Sequence, residues 1–594
     1  MHIRDKLDLL RAVMETAGVD AYLIFGTDPH QSEYPAAYWK TREWISGFSG
    51  SAGTVVITRD QACLWVDFRY YLQAEQEVEN SGYTLFKQGC PDVQEPLPWL
   101  KGTLKRGNVL GFCKAEVSLD QFRKFTAELG EKDIACTAVN DLLDGIWKDR
   151  PPLPCNEIYE IPLSYVGVSR EDKLELIRRR MREHEARWHI LSTLDDIAWV
   201  LNVRGRDIPY NPLALSHLFV GLEETCLCID ERKLPDSTCF DDSITVVPYE
   251  DAASYLAGIL EHSPGRVLLD SRRTSMLLAE QIPESCPTTD EPNVTTLAKA
   301  KKHDRELAGM EAVHLQDGAA LVSFLCWLDR EGTSCGLTEV TAAEKLLEYR
   351  MQREGFIQES FKGIFGFRDH GAVVHYSAAE STAYTLEGRG LMIIDTGGQY
   401  WGGTTDVTRT IVFGEPTEEE IRNYTLVLKG HLQLAATPFP AGTRGIQLEA
   451  LAKSFLWQER KNYGHGTGHG IGHMLCVHEG PASISARFID VPIESGMIFS
   501  DEPGLYIPGA YGIRIENLIA AEPAGDGGFG DFLKWKVLTK CPYERNLINV
   551  SLLSASERRY VDGYHQGVLE ELTPLLTEDQ QEWLQEKTAP LLKQ

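Results

Sequence analysis

The sequence lacks any uninterrupted apolar run of about eighteen residues, the length that a membrane-spanning helix requires. Its first residues, MHIRDKLDLLRAVMETAG, carry charges throughout and are typical of an amphipathic helix, not of a secretory leader. A regular cysteine pattern is missing too, because the 13 cysteines are scattered and odd in number, which does not fit a disulfide framework. We therefore expect a cytoplasmic protein without a membrane segment.

Positive charge is scarce, with 59 lysines and arginines against 87 aspartates and glutamates and a net charge of −28. Such an excess of acidic residues disfavours binding to nucleic acid backbones and to anionic membrane surfaces. We expect neither nucleic acid nor a membrane among the partners. Cys226 and Cys228 stand two apart in a strand-like run, but no second Cys/His pair lies nearby to complete a zinc site. Buried small hydrophobic residues are the preferred interpretation of this pair.

At 594 residues the chain is too long for a single hydrophobic core. A proline cluster at residues 151–154 breaks regular structure and indicates a first boundary. We predict α/β domains over residues 1–157 and 158–302 and a third domain over residues 303–594. The first two share the order helix, strand, tryptophan-containing segment and hairpin-like strand pair. This similarity favours the hypothesis that one α/β unit occurs twice.

The third domain carries acidic residues on strand-like runs. RGLMIIDTGG is typical of a buried strand that ends at Asp395, and GGTTDVTRTIVF alternates so that Asp406 shares a face with Thr408. Asp395 alone would be interpreted as a turn residue, whereas an aspartate inside a β-branched strand requires a partner. Thr417 and Glu420 predict a capping box at a helix start. Helices around a strongly curved antiparallel sheet would fit this segment.

HGTGHGIGHMLCVHEGP holds four histidines among five glycines, and glycines permit tight turns and close approach of the backbone. A single histidine would be assigned a structural role, but four within this stretch favour a functional site. Their spacing does not show which of them would bind a metal. The histidines are His465, His469, His473 and His478.

Two further acidic residues complete the candidate cluster. Glu502 ends a strand-like run in SDEPGLY, and Arg514 and Glu516 share a strand face in GIRIENL. Arg514 would orient acidic ligands, with an ordinary cross-strand ion pair as the alternative. Four carboxylates and one imidazole carry more negative charge than a protein normally gathers without cations. A pair of divalent ions that activates water for hydrolysis would compensate that charge.

In order and local context these residues resemble the ligands of the pita-bread metallopeptidases, a family that includes methionine aminopeptidases, prolidases and Xaa-Pro aminopeptidases. The resemblance is greatest to the three-domain cytosolic Xaa-Pro aminopeptidases (aminopeptidase P). DPHQSEY, SGFSGSAGTVVIT, DDIAWVLNVRG, TTDVTRT, HGTGHGIG, VHEGP and GIRIEN carry it over essentially the full length. It implies an α/β and α+β fold class: two creatinase-like N-terminal α/β domains followed by a C-terminal pita-bread catalytic domain.

The resemblance also implies a dinuclear site, usually with two Mn²⁺ ions. One ion would be held by Asp395 and Asp406. The other would be held by His469 and Glu502, and both ions would share Asp406 and Glu516. A hydroxide between the ions would attack the peptide carbonyl. The donor types alone admit Mn, Co, Zn or Fe.

Substrate roles follow from the same resemblance. His375 in GAVVHY matches a histidine near the substrate amide, and His478 matches one that supports the scissile carbonyl. His465 would line the prolyl side of the pocket. Glu502 would transfer a proton to the leaving prolyl nitrogen. The predicted catalytic residues are therefore His375, His478 and Glu502.

The function implied is release of the N-terminal residue from peptides with proline in the second position, by a homodimer. A prolidase-like dipeptidase is the close alternative, although two large N-terminal domains fit the enzyme for longer peptides better. A methionine aminopeptidase would normally lack those domains. A non-catalytic peptide-binding protein is the alternative from another class, and the presence of all five predicted ligands disfavours it.

Overall fold

The structure, a computed structural model, divides the chain into two compact units. The described residues are 1–235, 240, 243–332 and 336–591. Unit 1 comprises Met1–Ile161 and Val168–Thr296, and unit 2 comprises Pro162–Gly167 and Leu297–Gln594. Unit 1 unites most of the first two predicted domains, so the division into three domains stays a prediction. Within the described ranges no helix has both the length and the apolar character of a membrane span.

Unit 1 contains two six-stranded sheets and one short strand pair. The strands of the first sheet are β1 (Ala21–Ile24), β2 (Thr54–Thr58), β3 (Ala62–Val66), β4 (Thr84–Lys87), β5 (Val109–Cys113) and β6 (Ala135–Val139). The short pair is β7 (Tyr159–Glu160) with β9 (Val203–Arg204). The second sheet has β8 (Ala186–Leu191), β10 (Ser216–Gly221), β11 (Thr225–Ile229), β12 (Ile244–Val247), β13 (Arg266–Leu269) and β14 (Thr288–Asp290). The helices are α1 (Ile3–Ala17), α2 (Thr41–Ser46), α3 (Tyr71–Glu77), α4 (Pro96–Thr103), α5 (Leu119–Gly130), α7 (Arg170–Glu183), α8 (Leu194–Leu201), α9 (Ala252–His262) and α10 (Met276–Ala279), while α6 (Leu163–Val166) belongs to unit 2.

The two sheets of unit 1 repeat one topology. The strand order is β4-β3-β2-β1-β5-β6 in the first sheet and β12-β11-β10-β8-β13-β14 in the second. In each sheet the opening strand pairs antiparallel with the next long strand and parallel with the strand that follows the crossover. The outermost pairs on both edges are parallel in both sheets. This repetition supports the hypothesis of two copies of one α/β unit.

One of the hydrophobic core clusters of unit 1 contains side chains from both of its sheets. Trp65 and Phe112 of the first sheet belong to the same buried cluster as Trp188 and Phe219 of the second. Burial of side chains from both copies explains why they form one compact unit. Cys226 and Cys228 are fully buried in this cluster, which agrees with the interpretation of them as small hydrophobic residues. All described cysteines are free thiols.

The DPHQSEY segment connects the two copies through a buried histidine. His30 Nδ1 lies 2.8 Å from the carbonyl oxygen of Ser192, and His30 Nε2 lies 2.8 Å from the hydroxyl of Tyr249. Burial lowers the pKa of His30 to about 3, so the ring is neutral at ordinary pH. This part of the resemblance therefore has a structural role inside unit 1.

Unit 2 consists of antiparallel sheets with helices packed around them. Its strands are β15 (Phe356–Glu359), β16 (Ile364–Phe367), β17 (Gly390–Thr396), β18 (Gly398–Tyr400), β19 (Gly403–Thr404), β20 (Val407–Phe413), β21 (Phe439–Pro440), β22 (Gly468–Gly470), β23 (Glu479–Ile484), β24 (Ile498–Asp501), β25 (Gly504–Ile507), β26 (Tyr511–Arg514), β27 (Asn517–Asp526) and β28 (Asp531–Val537). Helix α11 (Val294–Ala300) precedes them across the unit boundary, and the others are α12 (Asp304–Arg330), α13 (Glu339–Met351), α14 (Glu418–Ala436), α15 (Gly445–Gln458), α16 (Ala555–Leu572) and α17 (Glu578–Lys587). Thr417 and Glu420 form the predicted capping box of α14.

Two sheets of unit 2 carry the candidate site. One has the order β16-β17-β20 and the other the order β21-β28-β27-β24-β22-β23. Strands β17 and β20 are rich in buried Ile, Val and Thr, which favour extended backbone. The polar side chains described next lie near the end of β17, just before β20, within β22, just after β24 and at the end of β26.

Candidate metal centre

The first two predicted ligands stand at neighbouring strand ends. Asp395 lies in β17, where the register places it opposite Thr408 of β20. Asp406 was predicted to lie within a strand, but it occupies the two-residue break between β19 and β20. The break still points its carboxylate into the same buried region, since Asp406 is only 4% exposed. Asp406 thus lies outside a strand, contrary to the prediction. It still stands beside the strand that carries Asp395.

The other three predicted ligands come from the six-stranded sheet and its edge. His469 is the central residue of β22, Glu502 directly follows β24, and Glu516 directly precedes β27. A side chain at Gly468 would meet the carbonyl oxygen of Ser500 at 1.9 Å, so only glycine allows β22 to approach β24 this closely. The hydroxyl of Ser500 accepts from the backbone N–H of His469 and donates to Glu502 Oε1.

The ligand atoms of these residues converge. His469 Nε2 lies 3.6 Å from Asp406 Oδ2 and 3.4 Å from Glu502 Oε1. Ligand atoms of Asp406, His469 and Glu516 all lie within 4.8 Å of one another. Thr408 donates a hydrogen bond of 2.7 Å to Glu516 Oε2 and fixes that carboxylate. Asp406, His469, Glu502 and Glu516 therefore form one cluster, in which Asp406 and Glu516 are buried and His469 and Glu502 are partly exposed.

The raised pKa values of the acidic residues indicate that the cluster requires a cation when these residues are ionised. The pKa of Asp406 is raised well above its ordinary value. Burial is the largest cause, followed by the charges of Glu516, Asp395 and Glu502. Burial and the neighbouring carboxylates likewise raise the pKa of Glu516. The pKa of Glu502 is raised to about 7, mainly by burial, with the charge of Asp395 also raising it and that of Arg514 opposing the shift. Ionised together, these groups destabilise one another unless positive charge is present.

The donor atoms fit divalent metal ions. Asp395 Oδ1 and Glu516 Oε1 are buried, yet no donor among the described residues hydrogen-bonds to either atom. Such atoms normally have a partner, because a buried charged oxygen without one costs free energy. An oxygen-rich set with one imidazole is the chemistry that binds Mn²⁺, Zn²⁺, Co²⁺ or Fe²⁺. The cluster therefore meets the requirements of a metal centre.

Arg514 orients one acidic residue of the cluster. Its Nε donates to Asp395 Oδ2 at 3.1 Å and one terminal nitrogen donates to the same oxygen at 2.5 Å. Its other terminal nitrogen donates to the hydroxyl of Tyr506 at 2.7 Å. The arginine is almost fully buried. The alternative from the sequence was an ordinary cross-strand ion pair, and the pair with Asp395 does join two strands, β26 and β17; its partner is a predicted metal ligand.

Replacing Arg514 by lysine is expected to weaken metal affinity about ten- to hundredfold, because lysine keeps the charge but cannot hold Asp395 and Tyr506 with one planar group. Titration of the metal-free protein with Mn²⁺ measures the change. Arg389→Lys is the matched control, since Arg389 pairs with Glu420 at a partly exposed position of the same unit. Equal affinities of the Arg514→Lys variant and the wild type would contradict the orienting role.

The predicted substrate-binding histidines occupy different positions around this cluster. The ring of His478 lies 4.3 Å from the ring of His469, centroid to centroid. His465 Nε2 lies 2.8 Å from the Tyr506 hydroxyl, which links it through Arg514 to Asp395. His375 is half-buried in the segment between β16 and β17. His473 is buried, with Nδ1 3.7 Å from Glu306 Oε1.

Two polar contacts of the centre were missed in the sequence. Tyr506 connects His465 with Arg514, and Ser500 connects His469 with Glu502. Both contacts depend on the register of β24 and β25 against their neighbours, which one sequence does not give. Alternation along β24 could have indicated that Ser500 and Glu502 share a face.

Comparison with protein-family models agrees with this architecture. Residues 308–523 match the metallopeptidase family M24, and residues 531–591 match the C-terminal region of those peptidases. Residues 6–146 and 149–306 each match the creatinase/prolidase N-terminal domain. The fold class predicted from the sequence is confirmed. Fold and site together define a metallopeptidase of the M24 type with two creatinase-like N-terminal domains.

Comparison with individual relatives shows which group of M24 metallopeptidases the chain belongs to. The chain is 37% identical to Xaa-Pro aminopeptidase 1 of Dictyostelium discoideum, covering 99% of this chain and 97% of that protein. It is also 37% identical to aminopeptidase P2 of Arabidopsis thaliana, covering 100% and 89%. A crystal structure of X-prolyl aminopeptidase from Caenorhabditis elegans, described as a cytosolic enzyme with a di-nuclear active site, superposes with a TM-score of 0.96. That protein is 35% identical, with 99% of this chain and 100% of that chain covered. The chain belongs to the Xaa-Pro aminopeptidase family.

Proposed function

We propose that this protein is a metal-dependent aminopeptidase that releases the N-terminal residue from peptides whose second residue is proline. The observation that carries the proposal is the convergence of ligand atoms of Asp406, His469 and Glu516 within 4.8 Å, with Glu502 3.4 Å from His469 and the charge of Asp395 acting on Asp406. It occurs in a chain that aligns over its full length with named Xaa-Pro aminopeptidases. A peptide-binding protein without catalysis would have no reason to keep such a mutually repelling cluster.

We propose two divalent ions, most simply Mn²⁺, as the cofactors of the cluster. Asp395 and Asp406 would hold one ion. His469 and Glu502 would hold the other, and Asp406 and Glu516 would be shared. The oxygen-rich donor set and the di-nuclear active site described for the Caenorhabditis elegans enzyme support this assignment. When bound, such ions lower the pKa of water and stabilise negative charge on a carbonyl oxygen.

The residues around the centre are assigned roles from their positions and from the family resemblance. Glu502 would carry a proton towards the leaving prolyl nitrogen. His478, beside His469, would donate to the oxygen of the scissile carbonyl, and His375 would bind near the substrate amide. His465, held by Tyr506, would line the prolyl side of the pocket. The acidic surroundings would attract the free α-amino group of the peptide.

Several broader properties remain proposals of the same kind. We propose a homodimer in the cytoplasm, and the description of the Caenorhabditis elegans relative as cytosolic supports that location. Domains over residues 1–157, 158–302 and 303–594 are supported by the limits of the matching family models. That nucleic acid and membranes are not partners stays a prediction from the charge balance.

The proposed function is tested with purified protein that is first stripped of metal and then reloaded with Mn²⁺. The peptides are Arg-Pro-Pro, Arg-Ala-Ala and the dipeptide Arg-Pro. We expect metal-dependent release of arginine from Arg-Pro-Pro and little from Arg-Ala-Ala, which has the same length and charge at its first residue. Cleavage of Arg-Pro alone would favour the dipeptidase alternative. Absence of bound metal and of arginine release would contradict the enzyme assignment.

A further inference from the structure

A fully buried carboxylate lies at the start of helix α13, outside the metal centre. Glu339 is the first residue of that helix, and its side chain is inaccessible to solvent. The carboxylate faces the segment of residues 368–386, which we term the His375 loop because it carries that histidine. The proposed chemistry assigns no role to Glu339. A buried carboxylate of this kind requires donors from its surroundings.

The donors come from the His375 loop and from the strand residue just before it. The backbone N–H of Phe367 donates to Glu339 Oε1 at 2.7 Å, and the backbone N–H of Tyr384 donates to Oε2 at 3.0 Å. The hydroxyl of Tyr376 donates to Oε2 at 2.9 Å, and His370 Nδ1 lies 3.0 Å from both oxygens. One carboxylate thus binds the loop near its beginning, its middle and its end.

Aromatic stacking reinforces these hydrogen bonds. The ring of His370 lies 3.7 Å from that of Tyr384 with an interplanar angle of 9°, and 4.4 Å from that of Tyr376 with an angle of 25°. Tyr376 is therefore held both through its hydroxyl and through its ring. His375 is the residue directly before Tyr376, so its backbone has little freedom to move.

The other side of the loop rests on a strand of the metal centre. A side chain at Gly512 of β26 would meet the carbonyl oxygen of Gly371 at 1.8 Å, so the loop backbone contacts the strand backbone directly. Strand β26 ends at Arg514, which binds Asp395. The loop thus lies between Glu339 and the strand that orients a metal ligand, and a shift at Glu339 would move His375 relative to that ligand.

We infer that Glu339 is a positioning residue for the peptidase reaction: through Tyr376 and His370 it fixes the loop that carries His375, the residue proposed to bind near the substrate amide. The inference rests on the proposed function, because His375 is assigned to the substrate amide. Glu339 is not among the proposed metal ligands or substrate-binding residues. Its proposed contribution is to hold His375 in place.

A double-mutant cycle tests this inference. Glu339→Gln keeps the shape but replaces one acceptor oxygen with a donor, and we expect kcat/KM for Arg-Pro-Pro to fall about ten- to hundredfold, the loss that a displaced catalytic group produces. In a His375→Ala background the same change should cost less than about twofold, because coupled residues are not additive. Metal content should equal that of the wild type. Tyr376→Phe, which removes one hydroxyl only, should show the same coupling with a smaller loss.

A spectroscopic signal and a matched control separate positioning from general stabilisation. In metal-free protein with labelled histidine, the ring signal of His375, assigned by its loss in His375→Ala, should move in Glu339→Gln and in Tyr376→Phe. The control is Glu557→Gln, which alters a capping-box carboxylate bound by Ser554 and Lys429 in the same unit. It should lower stability, leave that signal in place and change kcat/KM equally in both backgrounds.

Several results would contradict the inference that Glu339 positions His375. An equal loss from Glu339→Gln with and without His375 would make Glu339 a structural residue only. A loss of bound metal would place its effect at the metal ligands instead of at His375. If Glu339→Gln does not fold, Tyr376→Phe carries the same cycle. An inactive wild type would contradict the proposed function as well, whereas an active wild type with additive losses would contradict the positioning role alone.

Discussion

Replacing Asp406 by asparagine is expected to lower kcat for an Xaa-Pro peptide on the order of 10³-fold, and at the same time to stabilise the metal-free protein. The first effect follows because Asp406 is the proposed ligand shared by both ions. The second follows from its surroundings, since burial and the carboxylates of Glu516, Asp395 and Glu502 raise its pKa well above the ordinary value. Asparagine has nearly the same shape and removes that repulsion.

The stabilisation has a definite pH dependence. An acidic group whose pKa is raised by folding contributes stability below its ordinary pKa, and that contribution is lost as the pH rises towards the folded value. The advantage of Asp406→Asn in metal-free protein should therefore be smallest at or below pH 4, close to the ordinary pKa of 3.8, and should grow as the pH rises to 8. Excess Mn²⁺ should reverse the order, because the wild type gains more from binding.

Urea unfolding with and without chelator, together with metal analysis, measures these effects. Asp531→Asn is the control, because this aspartate is exposed in the same unit and should change neither stability nor kcat. A metal-free variant that is less stable than the wild type at pH 8 would mean that the carboxylates do not repel one another as the structure indicates. An unchanged kcat of the Asp406→Asn variant would contradict the assignment of Asp406 as a metal ligand.

Replacing Lys302 by methionine is expected to reduce the free energy of unfolding by about 3–5 kcal/mol, the loss that follows when one partner of a buried ion pair is removed. Lys302 Nζ forms an ion pair with Glu479, and their side chains are 1% and 2% exposed. The same nitrogen donates to the carbonyl oxygen of Lys299 at 2.9 Å. Methionine fills the space of the aliphatic chain but leaves the Glu479 carboxylate buried without its cation.

The adjacent residue supplies the control for this prediction. Lys301 pairs with Glu494, but both side chains are more than a third exposed, so Lys301→Met should cost no more than about 1 kcal/mol. The double variant Lys302→Met/Glu479→Met should recover most of the loss, because it removes the stranded charge as well. Urea unfolding of the metal-loaded wild type, the two single variants and the double variant measures these differences in the free energy of unfolding. Equal losses from Lys301→Met and Lys302→Met would show that burial of the pair is energetically unimportant.

Short-range patterns made the strands and helix ends of unit 2 predictable. The capping box of Thr417 and Glu420 appears in the structure at the expected residues, and the second half of GGTTDVTRTIVF forms strand β20. The placement of Asp406 inside a strand was wrong, because the chain breaks for two residues between β19 and β20. Pattern alone cannot show such a break, since β-branched residues stand on both sides of it and the whole stretch 402–410 is buried.

Contacts between segments that lie far apart in the sequence could not be predicted from the sequence. Lys302 and Glu479 are 177 residues apart, and Glu339 is 37 residues from Tyr376. Whether such residues meet depends on how sheets and loops pack, and no local propensity encodes it. For the same reason the sequence indicated two similar α/β units but not their common core. The acidic candidates followed from strand patterns and charge, whereas only the family resemblance selected His469 from four histidines that spacing left equivalent.

The common core of unit 1 also bears on how the chain emerges from the ribosome. Within the first copy Trp65 already packs against Phe86 and Trp99, so this ring is partly covered before the second copy is made. Trp188 and Phe219, which belong to the same buried cluster, are synthesised later. Elongation over the intervening residues takes on the order of ten seconds, during which the second copy's share of that cluster is missing. The first α/β copy expressed by itself would therefore lack part of the core that it shares in the whole chain.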